Sequence, residues 1–326
     1  MSLDSDVIVD RRRIRRKLTF WRVLTVLLAV GGVVGVGLLL SPGGRNVLAT
    51  SGSIARVNIE GLIRSDHERV EALERLENSH AAAVVVHINS PGGTTAGSEQ
   101  LYDALVRLKA KKPLVVVVDG LAASGGYIAA IASDHIVAQQ SSLVGSIGVL
   151  FQYPNFSELL KTVGVKVEEV KSSPLKAAPN GFEPTSPEAR EALDALVKDS
   201  YAWFRGMVKD RRAMDDAQLE TVADGRVFTG RQAVGLKLID QLGDEKTAVA
   251  WLVAEKNVKK DLPVRDYKLE PRFGDLTFLR TAVSVVLDAC GLGAIARQVQ
   301  GAGIAQAIDR FGLDGMLALW HPAQPR

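Results

Sequence analysis

The chain has 326 residues, which is enough for one large domain or two smaller ones with a sizeable core. Its formal net charge of +3 is uneven: residues 1–22 carry seven Arg and Lys against three Asp, and the remainder sums to −1, which argues against a basic nucleic-acid-binding face. The single cysteine, Cys290, excludes an internal disulfide, and without a Cys-rich cluster or a His-Glu-x-x-His motif we expect no metal and no other cofactor.

The first forty residues combine a basic stretch with an apolar one. Residues 1–22 include the basic run Arg11–Lys17, and residues 23–40 are uncharged and would span about 27 Å as a helix. The basic flank predicts residues 1–22 in the cytoplasm, 23–40 as a transmembrane anchor, 41–53 as a linker, and the rest outside the cytoplasmic membrane. A cleaved signal peptide ending at Ala49 is the alternative, which the length of the apolar run disfavours.

Residues 83–132 contain two copies of one arrangement, in which an apolar strand is followed by a glycine-rich turn and the start of a helix. The first copy passes through Gly92 and Gly93, and the second passes from Leu114 through Ser124 to Gly126. Uninterrupted Val, Leu and Ile runs predict parallel strands that are buried on both faces. The sequence therefore predicts an α/β fold built from repeated strand-turn-helix units.

Ser124 lies at the second of these turns. Its position is typical of a nucleophile presented between a strand and a helix, and also of an ordinary helix N-cap, which is the commoner role of serine before glycine. Two glycine-rich turns in tandem favour the nucleophile, because a nucleophile works together with backbone N–H groups that stabilise developing negative charge.

Further elements are predicted on both sides of this repeat. We expect a strand from Ile54, a short strand at 136–138, a strand over 165–170, a polar and Pro-rich loop over 171–187, and helices over 69–78, 156–163, 188–212 and 245–256. His87, inside a predicted buried strand, is expected to be a packed core residue. The globular domain is thus expected over 54–256, and a helical extension over 257–326.

Four motifs carry a resemblance to a known family. Ile88-Asn-Ser-Pro-Gly-Gly93, Ala123-Ser-Gly-Gly-Tyr127, Gly145-Ser-Ile-Gly-Val149 and Asp224-Gly-Arg-Val-Phe-Thr-Gly230 occur in this order. The chain thereby resembles the signal peptide peptidase A family, bacterial membrane-anchored serine proteases related to the Clp protease subunit and the crotonase fold. The resemblance spans about residues 54–243, and the anchor is similar to that of the short, single-repeat form. It implies a Clp protease/crotonase-like fold and a peptidase domain over 54–256.

The resemblance also implies the roles of individual residues. Ser124 would be the nucleophile and Lys176 the general base of a Ser-Lys dyad, the N–H groups of Gly93 and Gly125 would form the oxyanion hole, and Ser146 would orient the lysine. A lysine serves as a base only when it is neutral. The residues around Lys176 depart from the family's usual pattern, and the second candidate for the base is Lys171.

Three functional hypotheses follow. The leading one is a serine endopeptidase that degrades hydrophobic peptides such as cleaved signal peptides, and the resemblance implies a homo-oligomeric ring of eight with active sites shared between neighbours. A crotonase-like acyl-CoA enzyme is the second, although an exported domain would lack acyl-CoA. The third is a membrane scaffold of the same fold without activity.

Overall fold

The valine-rich runs form the centre of a mixed sheet. A computed structural model describes residues 52–269 and the backbone of residues 317–319. In these residues the strands are β1 Ile54–Ile63, β2 Ala83–Thr94, β3 Leu114–Ala123, β4 His135–Ala138, β5 Leu143–Gly145, β6 Val227–Thr229, β7 Gln241–Leu242, β8 Val264–Asp266 and β9 Leu317–Leu319. The helices are α1 His67–Glu77, α2 Thr95–Lys111, α3 Gly125–Ala130, α4 Ser157–Thr162, α5 Pro187–Arg212, α6 Asp216–Val222, α7 Gly230–Gly235 and α8 Glu245–Lys256.

The central strands run parallel, and helices cover both faces of the sheet. The order along the sheet is β6-β5-β3-β2-β1-β8, with β4 beside β3, β7 beside β4 and β9 beside β2. Alternate residues of β2 enter different clusters: Val84 and Val86 pack in the main core with residues of α1, α2, α3 and α5, whereas Val85 packs with residues of α8. Burial of both faces explains why these strands are continuously apolar, and the predicted α/β fold is confirmed.

The third strand, β3, pairs with one neighbour over its first half and with another over its second half. This change of partner determines where the strand ends. Val115 to Val118 of β3 pair with β4, and Leu121 to Ala123 pair with β5. On its other side β3 pairs with β2 as far as the match of Ser90 with Ala122. The chain then leaves the sheet at Ser124 and enters α3, so the repeated strand-turn-helix unit ends at this serine.

Two segments differ from the expectation. The expected strand over 165–170 is wrong: these residues form no strand, and Val165, Val167 and Val170 are exposed. Their alternation is typical of a strand, but no neighbouring strand of the described chain supplies hydrogen bonds. Conversely, the sheet extends past residue 256, because β8 pairs with β1 and β9 pairs with β2.

The expected anchor at 23–40 lies outside the described residues, as does most of the expected helical extension over 257–326. Within the part of the chain that the structure describes, no helix has the length and apolar character needed to cross a bilayer.

Candidate active site

Ser124 occupies a strained turn between β3 and α3. Its φ of 53° and ψ of −116° lie outside the extended conformation that an N-cap residue normally adopts. The backbone N–H of Ser124 donates a 2.8 Å hydrogen bond to the carbonyl oxygen of Gly145, and the residue is buried. Its hydroxyl does not cap α3 but donates a long, 3.4 Å hydrogen bond to the carbonyl oxygen of Gly148. The interpretation of Ser124 as a simple N-cap is therefore wrong.

The two predicted oxyanion donors belong to the two glycine-rich turns. Gly125 is the first residue of α3, so its N–H has no acceptor within the helix. Gly93 is near the end of β2, where it pairs with Ile63 of β1. A Cβ atom at position 93 would lie only 1.7 Å from the carbonyl oxygen of Ile63, so only glycine fits there.

Ser90 connects the two turns, and the sequence analysis assigned it no role. Its buried hydroxyl donates a 2.7 Å hydrogen bond to the carbonyl oxygen of Gly61 and accepts a 3.1 Å hydrogen bond from the N–H of Gly92. The carbonyl of Ser90 lies against Gly126, the second residue of α3. The Asn-Ser-Pro-Gly-Gly motif, which contains Ser90, could have marked this serine as a functional residue. Its partner Gly61 is distant in the chain and could not be predicted from the motif.

Ser146 lies beside Ser124. The carbonyl of Gly145, the residue before it, accepts the N–H of Ser124, and the N–H of Ser146 donates a 2.8 Å hydrogen bond to the carbonyl of Arg226. Ser146 has a positive φ of 51° and is buried. The Asp-Gly-Arg motif thus has a structural role: the Arg226 carbonyl holds the backbone of Ser146, next to the Gly145 that bonds Ser124, while the Arg226 side chain pairs with Asp224.

The two candidate lysines have different surroundings. Lys176 lies on the exposed loop after α4, and among the described residues its side chain has no hydrogen bond or ion pair, with Ser124 or any other residue. Lys171 pairs with Glu169 and Glu183 at 2.7 Å each. Hydrogen bonds to these carboxylates raise the pKa of Lys171, and Glu169 has the larger effect. The raised pKa favours the ammonium form and disfavours a role as general base.

His87 is not the packed core residue that the sequence predicted. Its Nδ1 lies 2.9 Å from a carboxylate oxygen of Asp119, and its Nε2 lies 2.9 Å from Glu245 at the start of α8. Arg56 completes the cluster with two hydrogen bonds to Glu245. The cluster joins β1, β2, β3 and α8, and it is separate from the turn that holds Ser124. Neither this cluster nor any other group of His, Cys, Asp and Glu residues in the described chain is arranged to hold a metal ion.

The sequence model of the Clp protease family matches residues 63–142, which include β2, β3 and Ser124. A solved structure of a mutant of the 1510-N membrane-bound stomatin-specific protease is 14% identical, covers 66% of this chain and 97% of its own, and has a TM-score of 0.45.

The sequence model of peptidase family S49 matches residues 106–259. A candidate protease of Synechocystis sp. is 34% identical over 226 residues, covering 69% of this chain and 82% of its own. Protease 4 of Haemophilus influenzae is 29% identical over 269 residues, which are 79% of this chain but only 43% of that protein. A serine protease, SPPA, of Arabidopsis thaliana is 30% identical over 225 residues, or 66% of this chain and 33% of its own. The chain belongs to peptidase family S49, and the class of enzyme is that of serine proteases.

Proposed function

We propose that the chain is a membrane-anchored serine endopeptidase with a Ser-Lys dyad, in which Ser124 is the nucleophile and Lys176 the general base. The observation that carries the proposal is the strained turn at Ser124: a buried serine at the end of a strand whose hydroxyl does not cap the following helix. Backbone strain of this kind persists where the surrounding structure maintains it, and it is concentrated at functional sites.

The proposed reaction uses only groups of this chain and water. Neutral Lys176 accepts the hydroxyl proton of Ser124 as its oxygen attacks the carbonyl carbon of the substrate peptide bond. The N–H groups of Gly93 and Gly125 stabilise the resulting oxyanion, and Ser146 orients the amine. The leaving amine takes the proton from the lysine, and water then hydrolyses the acyl-enzyme. We propose that the substrates are apolar peptides such as cleaved signal peptides. This is supported by a candidate signal peptide peptidase of Enterococcus faecium, which is 33% identical over 193 residues.

We further propose that Lys176 reaches Ser124 of a neighbouring subunit in a ring of eight. The loop that carries Lys176 belongs to an apolar arm, residues 151–182, which holds nine of the twelve exposed large hydrophobic residues in the described chain: Phe151, Phe156, Leu159, Val163, Val165, Val167, Val170, Leu175 and Phe182. Such a concentration of exposed apolar side chains in one segment favours a protein interface. A head-to-tail ring repeats the same shared site at each junction.

The proposed localisation is supported by the sequence pattern of the first forty residues. We propose that residues 23–40 anchor the chain in the bacterial cytoplasmic membrane with the catalytic domain outside. Extraction of the full chain from membranes should then require detergent. An N-terminus that begins at Thr50 after purification would contradict the anchor and support a cleaved signal peptide.

A phosphonate probe of serine nucleophiles tests the proposed function. We expect labelling at Ser124, none in the Ser124→Ala variant, and loss of peptide hydrolysis in that variant with unchanged expression and oligomer size. Lys176→Met should also be inactive, whereas the matched variant Lys171→Met should keep its activity. Folded protein that is neither labelled nor hydrolytic would contradict the peptidase and leave the acyl-CoA enzyme or the scaffold.

Mixed oligomers test the shared site. Ser124→Ala and Lys176→Ala subunits are each expected to be inactive, but random co-assembly in equal amounts leaves about a quarter of junctions with both groups. Partial activity should therefore return in mixed rings. Mixed rings with no activity above that of the parents would show that one chain supplies both residues.

A further inference from the structure

The helix that follows Ser124 is short and is held at both ends. α3 has six residues, all of them buried, and a helix of this length is not stable by itself. At its beginning, Gly126 lies against the carbonyl of Ser90. At its end, the side chain of Arg211 in α5 donates hydrogen bonds to three successive carbonyl oxygens. They are those of Ile131 at 2.7 Å, Ala132 at 3.1 Å and Ser133 at 2.9 Å.

These three carbonyls need a partner from outside the helix. The last carbonyls of an α-helix have no donor within it, and Ile131 is the residue at which α3 ends. Ile131, Ala132 and Ser133 are all buried, and a buried carbonyl without a partner costs stability. Among the described residues the guanidinium of Arg211 forms no ion pair, so its planar set of donors serves the backbone that ends α3.

The helix that carries Arg211 is a fixed platform. Phe204 and Val208 of α5 are fully buried in the main core. Arg211 follows Val208 by three positions, so the three side chains lie on the same face of α5. The guanidinium is therefore presented from an element that the core holds in place, and it sets the position of α3 relative to α5.

We propose that Arg211 is a positioning residue of the active site: by fixing the end of α3 against α5, it keeps Ser124 and the N–H of Gly125 in the geometry that the reaction needs. This inference rests on the proposed function. The carbonyls that Arg211 binds begin about 10 Å from Ser124 along the helix axis, so the arginine acts through α3 and does not touch the substrate. A short helix moves as one body, so loosening its end displaces its beginning.

Full-length variants test this role. Arg211→Met removes the three hydrogen bonds and keeps much of the apolar stem, and Arg211→Lys keeps the charge without the planar set of donors. Lys112→Met is the matched control, because Lys112 also donates to backbone carbonyls, those of Ser79 at 2.8 Å and Ala81 at 3.0 Å, but these follow α1 rather than α3. The measurements are the melting temperature, kcat and KM for an extended apolar peptide, and the rate constant of phosphonate labelling at Ser124.

We expect kcat and the labelling rate constant of Arg211→Met to fall about tenfold or more with little change in KM, because a displacement near 1 Å at the reacting groups costs up to about 10²-fold. Arg211→Lys should lie between this variant and the parent. Lys112→Met should lower the melting temperature and keep the kcat, KM and labelling rate constant of the parent.

Equal kcat and labelling rate constants in Arg211→Met and Lys112→Met would overturn the positioning role. Failure of both Arg211 variants to fold would also overturn it, since it would assign the arginine to folding alone; if only Arg211→Lys folds, its kcat and labelling rate constant are compared with those of Lys112→Met in the same way. A folded parent that is neither labelled nor hydrolytic would contradict the proposed function itself and the positioning role with it, so the two failures are distinguishable.

Discussion

The carbonyl oxygen of Ser90 lies 2.7 Å from the position that a Cβ atom would take at Gly126. The strand that carries one proposed oxyanion donor is therefore in direct contact with the helix that follows the proposed nucleophile. The hydroxyl of Ser90 also forms hydrogen bonds with the carbonyl of Gly61 and the N–H of Gly92. The glycine-rich turns after β2 and after β3 therefore form one connected unit. The distance between the proposed nucleophile and the proposed oxyanion donors is thus fixed by backbone contacts rather than by long side chains.

Gly126→Ala should lower activity by displacing this contact. The added methyl group would require the backbone of Ser90 or the start of α3 to move, and a displacement near 1 Å at a catalytic centre costs about 10²-fold in rate. We expect such a loss in kcat/KM, measured with an extended apolar peptide. Gly206→Ala is the matched control: its Cβ would contact nothing within 4 Å on helix α5, so we expect full activity and a gain of about 1 kcal/mol in unfolding free energy. Full activity in Gly126→Ala would refute the connected unit.

Ser90→Ala should reduce activity more than its effect on folding explains. The substitution leaves the carbonyl of Gly61 and the N–H of Gly92 without their buried partner, at a cost of about 1–3 kcal/mol of stability. We expect kcat to fall about tenfold with little change in KM, since β2, which carries the proposed oxyanion donor Gly93, loses its support in the transition state. Ser98→Ala provides the comparison, because the hydroxyl of buried Ser98 on α2 donates, among the described residues, only to the carbonyl of Thr94 at the end of β2. Equal losses of kcat in both variants would assign Ser90 a general folding role.

The sequence predicted the repeated units well and the contacts between distant segments poorly. Continuous Val runs followed by glycine turns identify β2 and β3 because both burial and turn chemistry are local properties. The partners of Ser90 and His87 are set by residues far away in the chain, Gly61 and Glu245, which no local periodicity indicates. For the same reason residues 165–170 alternate like a strand yet remain unpaired, whereas β9 enters the sheet from beyond the expected domain boundary.

The cluster around Glu245 predicts acid sensitivity. Hydrogen bonds from Arg56, which have the larger effect, and from His87 lower the pKa of Glu245 below its ordinary value. A depressed carboxyl pKa contributes stability that is fully present above the ordinary value and is lost as the pH falls through the folded-state value. Because the pair is partly exposed, we expect a contribution of at most about 1 kcal/mol.

Arg56→Met should remove this contribution, so thermal unfolding of the variant should depend less on pH than that of the parent between about pH 6 and about pH 3. Arg75→Met is the matched control, because Arg75 pairs with Glu71 only at 3.7 Å and in an exposed position. Melting temperatures that fall in parallel for the parent and Arg56→Met would contradict the prediction.

The apolar arm allows a test of assembly that does not alter the dyad. Leu159 on α4 and Val163, the residue that ends this helix, are 59% and 61% exposed in the single chain. If a neighbour covers them, each contributes about 1.5–3 kcal/mol to the interface, and charged residues there should prevent ring formation. We expect Leu159→Asp with Val163→Asp to sediment as a folded monomer and to lose about 10²-fold or more in kcat/KM, because Lys176 would no longer reach the neighbouring Ser124. Val234→Asp, at an exposed site on α7 outside the arm, should keep both the assembly and the activity of the parent. A double variant that is monomeric and fully active would separate assembly from catalysis and place the complete dyad within one chain.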